Sequence, residues 1–204
     1  MILSAFGSAV ALATLAFGMS GAVADETSDA DAKKVVQTLG EQTVAAIKVE
    51  DKDARRKALI EAANPAFDFN TIGAGVLSYA GVQVPTGRQA EVMEGVIAYV
   101  SRSVINEIER IRPEEAKVGA TSAKSDDEVR VPMLLAGIRD QINADWVVKK
   151  QAEGWRVTEV MVSGNSLTQH FGGVLARRAR GELDILVEFL KSEQKRERVA
   201  ALGQ

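Results

Sequence analysis

Apolar positions along this chain change their spacing twice, and each change marks a change of element. From Lys33 to Val49 they recur at helical intervals, with Val35, Val36, Leu39, Thr43 and Ile47 on one side. The polar stretch before it, Asp25 to Asp31, reads as frayed. A second helix is predicted over Lys52–Ala63, and Asn64-Pro65 ends it because a residue before proline avoids the α region. Phe67 and Phe69 flank Asp68 in a short extended link, and Thr71 to Tyr79 reads as a short helix weakened by Gly73 and Gly75. Pro85-Thr86-Gly87 is a turn, and Thr86 with Gln89 has the spacing of a capping box. The helix it opens should run to Ile111 and stop before Pro113. Its apolar residues are Val92, Met93, Val96, Ile97, Tyr99, Val100, Val104, Ile105, Ile108 and Ile111. At about 100° per residue they cover close to half the circumference, which calls for a large apolar surface opposite.

Beyond Pro113 the period falls to two. Strands are predicted over Ala116–Ser122, Glu128–Ala136, Ala144–Gln151 and Trp155–Val162. Val129, Val131, Met133 and Leu135 share one face of the second, while Pro132 on its other face suggests an edge or a bulge. Trp146 and Val148 share a face of the third. In the fourth, alternation puts Trp155, Val157 and Met161 on one side and Val160 and Val162 on the other. Glu153-Gly154 reads as a hairpin turn. After Ser163-Gly164 the helical period returns. Ser166 with Gln169 repeats the capping-box spacing, and a further short amphipathic helix follows Gly181. Residues 193–204, rich in Lys, Arg and Glu, read as a solvated, flexible tail. Helices, then four strands, then helices define an α+β fold in which an antiparallel sheet lays one apolar face on the long helix.

Composition narrows the setting. Met1 to Ala24 contain no charged side chain and end in Ala22-Val23-Ala24, so residues 1–24 are expected to be a signal peptide cleaved after Ala24. No Lys or Arg precedes its apolar run. Residues 25–192 then form one domain, large enough for a real core. A net charge of −3 argues against nucleic acid as a partner, and the absence of cysteine excludes disulfides and thiolate metal sites. Aromatic residues make up 5% of the chain against 46% apolar residues in all, so the interior must be mainly aliphatic.

Signals for catalysis are poor. With His170 the only histidine, no imidazole-built metal site is possible, and a Ser-His-Asp arrangement would have to use this one helical residue. Ser163-Gly164-Asn165-Ser166 lacks the G-x-S-x-G pattern of a nucleophile turn, and Ser166 is better read as a helix cap. Asp126, Asp127 and Glu128 suit a solvated hairpin, and Gly73-Ala74-Gly75 lacks the lysine and the preceding strand of a phosphate loop. Arg177, Arg178 and Arg180 form a basic cluster. It is either a solvated face or a docking patch for an anionic head group or partner, since guanidinium groups suit phosphate. No cofactor, metal or catalytic residue is expected.

The segment from Gly154 to Leu190 resembles the C-terminal signature of the MlaC family of periplasmic phospholipid-binding proteins, the toluene-tolerance or ABC-transporter auxiliary family. The residues that carry it are Trp155, Arg156, Val157, Glu159, Val160, Met161, Val162, Gly164, Ser166, Leu167 and Phe171. Earlier landmarks are Phe67-Asp68-Phe69, Ile72 and Val76-Leu77. The family usually continues with Leu-Gly and a tryptophan, where this chain reads Leu77-Ser78-Tyr79-Ala80-Gly81. The resemblance implies a curved four-stranded sheet wrapped by helices, a cone whose apolar cavity holds acyl chains. It implies lipid-binding walls from Phe67, Phe69, Ile72, Val76, Val96, Ile97, Val100, Val104, Met133, Leu135, Trp146, Val148, Val157, Met161 and Phe171, with Val160 and Val162 as alternates on the last strand. The implied function is a shuttle carrying phospholipid between an outer-membrane lipoprotein complex and an inner-membrane ABC transporter with its substrate-binding ring, in maintenance of outer-membrane lipid asymmetry. A hopanoid-associated carrier, or a small enzyme using Asp68 or Asp145 as a buried acid or base, stands as the alternative.

Overall fold

A computed structural model of the chain describes residues 26–138 and 140–202. The expected signal peptide lies outside the described residues. Six α-helices and six strands follow in the order α1 Glu26–Ile47, α2 Lys52–Ala63, α3 Phe69–Ala80, α4 Gln89–Ile111, β1 Pro113–Val118, β2 Ser122–Ser125, β3 Glu128–Gly137, β4 Gln141–Gln151, β5 Gly154–Val162, β6 Asn165–Ser166, α5 Leu167–Ala179 and α6 Leu183–Leu202. The strands form one antiparallel sheet in the order β1-β3-β4-β5-β6, with β2 also paired to β3.

Local chemistry explains most boundaries. Asp51 caps α2 by accepting from the Ala54 N–H, and Ser166 caps α5 by accepting from the Gln169 N–H. The helix α4 starts differently from the capping box read in its sequence. A single 3₁₀ turn, Thr86–Arg88, leads into it, and no side chain caps it. Helix α1 begins at Glu26, so the polar stretch read as frayed is its first turns from that residue on. Helix α6 continues as helix past Ser192. The turn Ser163-Gly164 has φ of 51° and 80°, the doubly left-handed geometry that matches the twist of a two-residue hairpin.

Two departures from simple alternation shape the sheet. The first predicted strand is split into β1 and β2, both paired with β3, and Pro132 lies opposite the break. The Pro132 carbonyl accepts from the Gly119 N–H at 2.9 Å, so the missing proline N–H falls on that same side, where the neighbouring strand is already interrupted. A central strand thereby tolerates its proline. The second departure is a bulge between β4 and β5. Val147 pairs with Glu159 but Val148 pairs with Val157, leaving Thr158 as the extra residue. The alternation of β5 reverses there. Trp155, Val157, Val160 and Val162 join the covered face, and Met161 turns to the other face opposite Asp145.

The interior is divided. One cluster joins the covered sheet face (Val129, Val131, Met133, Leu135, Ala144, Trp146, Val148) to Ala32, Val36 and Leu39 of α1. Helix α1, and not the long helix α4, lies over the sheet. A second cluster is mainly helical, built on Ile72 and Val76 of α3, Val92, Val96 and Val100 of α4, Phe171 and Leu175 of α5, and Leu186 and Leu190 of α6, with Val82 added from the loop after α3. The wide stripe of α4 is shared along its length. Its first turns pack into this helical cluster, while Ile105 and Ile108 meet a small third cluster of Ala46, Ile47 and Leu59. Contact between α3 and α5 is close enough that a Cβ on Gly172 would stand 2.6 Å from the Tyr79 Cβ and 2.9 Å from the Val76 carbonyl oxygen. Partly buried ion pairs tie the helices at their margins, with Arg55 and Arg56 of α2 on Glu109 of α4 at 3.1 and 2.9 Å, and Arg102 of α4 on Glu193 of α6 at 2.9 Å.

Candidate functional site

The sheet-side and helix-side clusters meet along a seam, and the half-buried side chains Phe67 and Leu167 pack against both. Each sits where the chain crosses from one layer to the other. Phe67 lies in the link between α2 and α3. That link adds to the edge of β5, since the Val157 N–H donates to the Ala66 carbonyl at 2.7 Å and the Asp68 N–H donates to the Val157 carbonyl at 2.9 Å. The Phe67 ring stacks on Phe69 at 5.4 Å and meets the Trp146 ring edge-on at 5.7 Å. Leu167 is the first residue of α5. Its helix is fixed to β5 through Glu159, whose carboxylate accepts from the Ser166 hydroxyl at 2.6 Å and from the Thr168 N–H at 3.3 Å.

Sequence reasoning gave the site residues as one set, and the structure divides them between two clusters. Met133, Leu135, Trp146, Val148 and Val157 lie in the sheet-side cluster. Ile72, Val76, Val96, Val100 and Phe171 lie in the helix-side cluster, with Val104 half-buried against it. Phe67 joins the two, and Phe69 stacks on Phe67. Ile97 faces elsewhere. With Asn70, Ala90, Met93, Glu94 and Ala98 it lines an open groove of about 470 Å³ beside α4. A smaller concavity of about 90 Å³ lies between α4 and α6, at Val92, Gly95, Val187 and Leu190. Met161 is corrected, because the Thr158 bulge moves it off the apolar face and Val160 stands opposite Trp146 in its place. Leu167 was overlooked as a site residue although it stands, with Gly164 and Ser166, among the residues that carry the family resemblance. The signal was its position, immediately after a capping serine and so at the joint between strand and helix.

Asp68 has a structural task. Its carboxylate caps α3, accepting from the Thr71 N–H at 2.9 Å and the Thr71 hydroxyl at 2.5 Å, and it receives the Gln151 amide at 2.6 Å. Partial burial alone would raise this carboxyl. The hydrogen bonds from Thr71, Gln151 and the Asn70 backbone outweigh it and hold the group below the usual carboxylate range. A raised carboxylate, which an acid–base role would use, is thus not found at Asp68. A depressed folded-state pKa contributes stability above the unfolded value, near pH 4, and loses it as pH falls through the folded value. Asp68→Ala is therefore expected to cost about 1 kcal/mol at pH 7. Its difference from wild type should shrink toward pH 3, as urea unfolding at the two pH values will show. His170, on α5, is exposed and touches the Phe171 ring. Asp126 and Asp127 form the two-residue turn between β2 and β3.

These features define a helix-backed antiparallel sheet whose two main apolar layers meet at a seam marked by Phe67 and Leu167. The solved structure of a phospholipid-binding protein from Ralstonia solanacearum, in complex with a phospholipid, has a similar fold. Its TM-score is 0.64 at 24% identity, over 85% of this chain and 99% of that one. No curated protein matches the sequence. The family described as MlaC protein matches residues 31–191, and the chain belongs to the MlaC family. Members of that family are periplasmic.

Proposed function

We propose that this protein is a periplasmic carrier of glycerophospholipid. It takes up the acyl chains between its sheet-side and helix-side layers and leaves the head group at the surface. The observation that supports this most strongly is membership of the MlaC family over residues 31–191, together with an interior whose two apolar layers touch through Phe67 and Leu167. The walls of the occupied site are Ile72, Val76, Val96, Val100, Val104 and Phe171 on one side, and Met133, Leu135, Trp146, Val148, Val157 and Val160 on the other. In the wider reading, the carrier passes lipid between an outer-membrane lipoprotein complex and an inner-membrane ABC transporter with its substrate-binding ring.

Physical chemistry sets what such a carrier must do. Each methylene moved out of water is worth about 0.8 kcal/mol, so two ordinary acyl chains amount to on the order of 20 kcal/mol. A carrier must return nearly all of that to extract a lipid, yet hold it little better than a bilayer does if it is to deliver it. Aliphatic walls with few aromatic rings meet this balance, because they adapt to disordered chains and bind them without strong directional contacts. Native mass spectrometry of protein purified from a periplasm tests the proposal. Co-purifying diacyl phospholipid is the expected result. An empty protein that takes up no lipid from phospholipid vesicles overturns it.

A further inference from the structure

The indole nitrogen of Trp146 is buried and has no hydrogen-bond partner among the described residues. The residue is only 8% exposed, so water does not replace the missing acceptor by open access. This is unusual for tryptophan, whose N–H normally finds a partner when it is buried. Its neighbours explain the deficit. Across the sheet Trp146 stands between Val131 of β3 and Val160 of β5, and its ring meets the edge of Phe67. All three are hydrocarbon. A second buried nitrogen without a hydrogen-bond partner among the described residues, Arg130 Nε, belongs to the opposite sheet face beside Asp145, where it neighbours a charge and not the seam.

A donor set in hydrocarbon beside the joint between the two apolar layers suits a guest that is itself mostly hydrocarbon but carries an isolated acceptor. Acyl ester carbonyls have that character. They accept hydrogen bonds, carry no charge, and sit at the head of each chain. We infer that the Trp146 indole N–H donates to an ester carbonyl of the bound lipid and sets how far the acyl chains enter the seam. The inference rests on the carrier reading and adds to it a preference for ester-linked over ether-linked chains. Trp146 is then a positioning and specificity residue, since the greater part of the affinity comes from methylene burial, which ester and ether lipids share.

The test is competitive uptake from mixed vesicles of two phosphatidylethanolamines with identical chain lengths, one diacyl and one dialkyl, read by native mass spectrometry. Wild type is expected to favour the diacyl lipid by about fivefold to tenfold, the ratio that one net hydrogen bond of ordinary strength supplies. Trp146→Phe keeps an aromatic ring, though a smaller one, and removes the donor, and is expected to load both lipids equally. A second readout needs no variant. The Trp146 indole N–H resonance should move downfield when diacyl lipid is bound and stay in place with the dialkyl lipid. Equal uptake by wild type, or a preference that survives in Trp146→Phe, overturns the inference and leaves the carrier intact. Failure of wild type to load either lipid overturns both.

Discussion

Gly137→Ala is expected to destabilise the protein by about 3 kcal/mol, at the upper end of the usual overpacking range. The reason is geometric. A Cβ at Gly137 would stand 2.2 Å from the Ile111 carbonyl oxygen and 3.0 Å from that of Arg112. Both obstacles are backbone atoms at the corner where α4 ends and β1 begins. Arg112 already takes a left-handed φ of 49° there to close the helix, and Pro113 pairs with Gly137 across the sheet. Nothing at that corner can give way without undoing the helix end or the strand pairing. At about 2–4 °C per kcal/mol for a domain of this size, the midpoint should fall by about 6–12 °C in a thermal melt. Gly87→Ala is the matching control, because a Cβ there meets nothing within 4 Å. A Gly137→Ala protein that melts with wild type would show that the corner yields.

Removing bound lipid is expected to have a comparable effect. A ligand at about a thousand times its dissociation constant stabilises the native state by about 4 kcal/mol. For this chain that corresponds to a fall of about 8–16 °C when the lipid is stripped. The loaded and stripped forms can be compared by scanning calorimetry, and re-addition of phospholipid vesicles should restore the higher midpoint. Loaded and stripped proteins melting together would mean that the hydrocarbon contributes nothing to the folded state. That result would contradict a guest lying between the two layers.

Much of this molecule was legible before its structure, and where reading failed the cause can be named. The end of α4 follows from Pro113, whose constraint is local and independent of packing. Helix α2 ends at Ala63 as read but not for the reason read, because Asn64 keeps helical dihedrals (φ −52°, ψ −45°) and the helix stops where Pro65 has no N–H to give. The cap at Ser166 is local too. The face of β3 could be read because its alternation is unbroken, whereas that of β5 could not. One inserted residue, Thr158, reverses the pattern, and only the pairing with β4 reveals it. The partner of the sheet was misassigned for a related reason. The stripe of α4 is wide enough to cover a sheet, but spacing cannot say which apolar surface a stripe meets, and α1 with its smaller residues lies closer. Thr86 and Gln89 have the spacing of a capping box, yet the backbone satisfies itself through a 3₁₀ turn. Of the candidate site, composition supplied the aliphatic character of the walls. Their division into two sets, and the standing of Phe67 and Leu167 between them, belong to tertiary structure alone.

The seam between those sets has a mechanical meaning. Across it the layers are held mainly by contacts between hydrocarbon surfaces, which have no preferred direction and lose little when one oily neighbour is exchanged for another. The backbone bonds around Phe67 and the Glu159 network run beside it and hold the margins. On the proposed function, such a body would part along its hydrocarbon lining around a guest and stay tied at its polar rim.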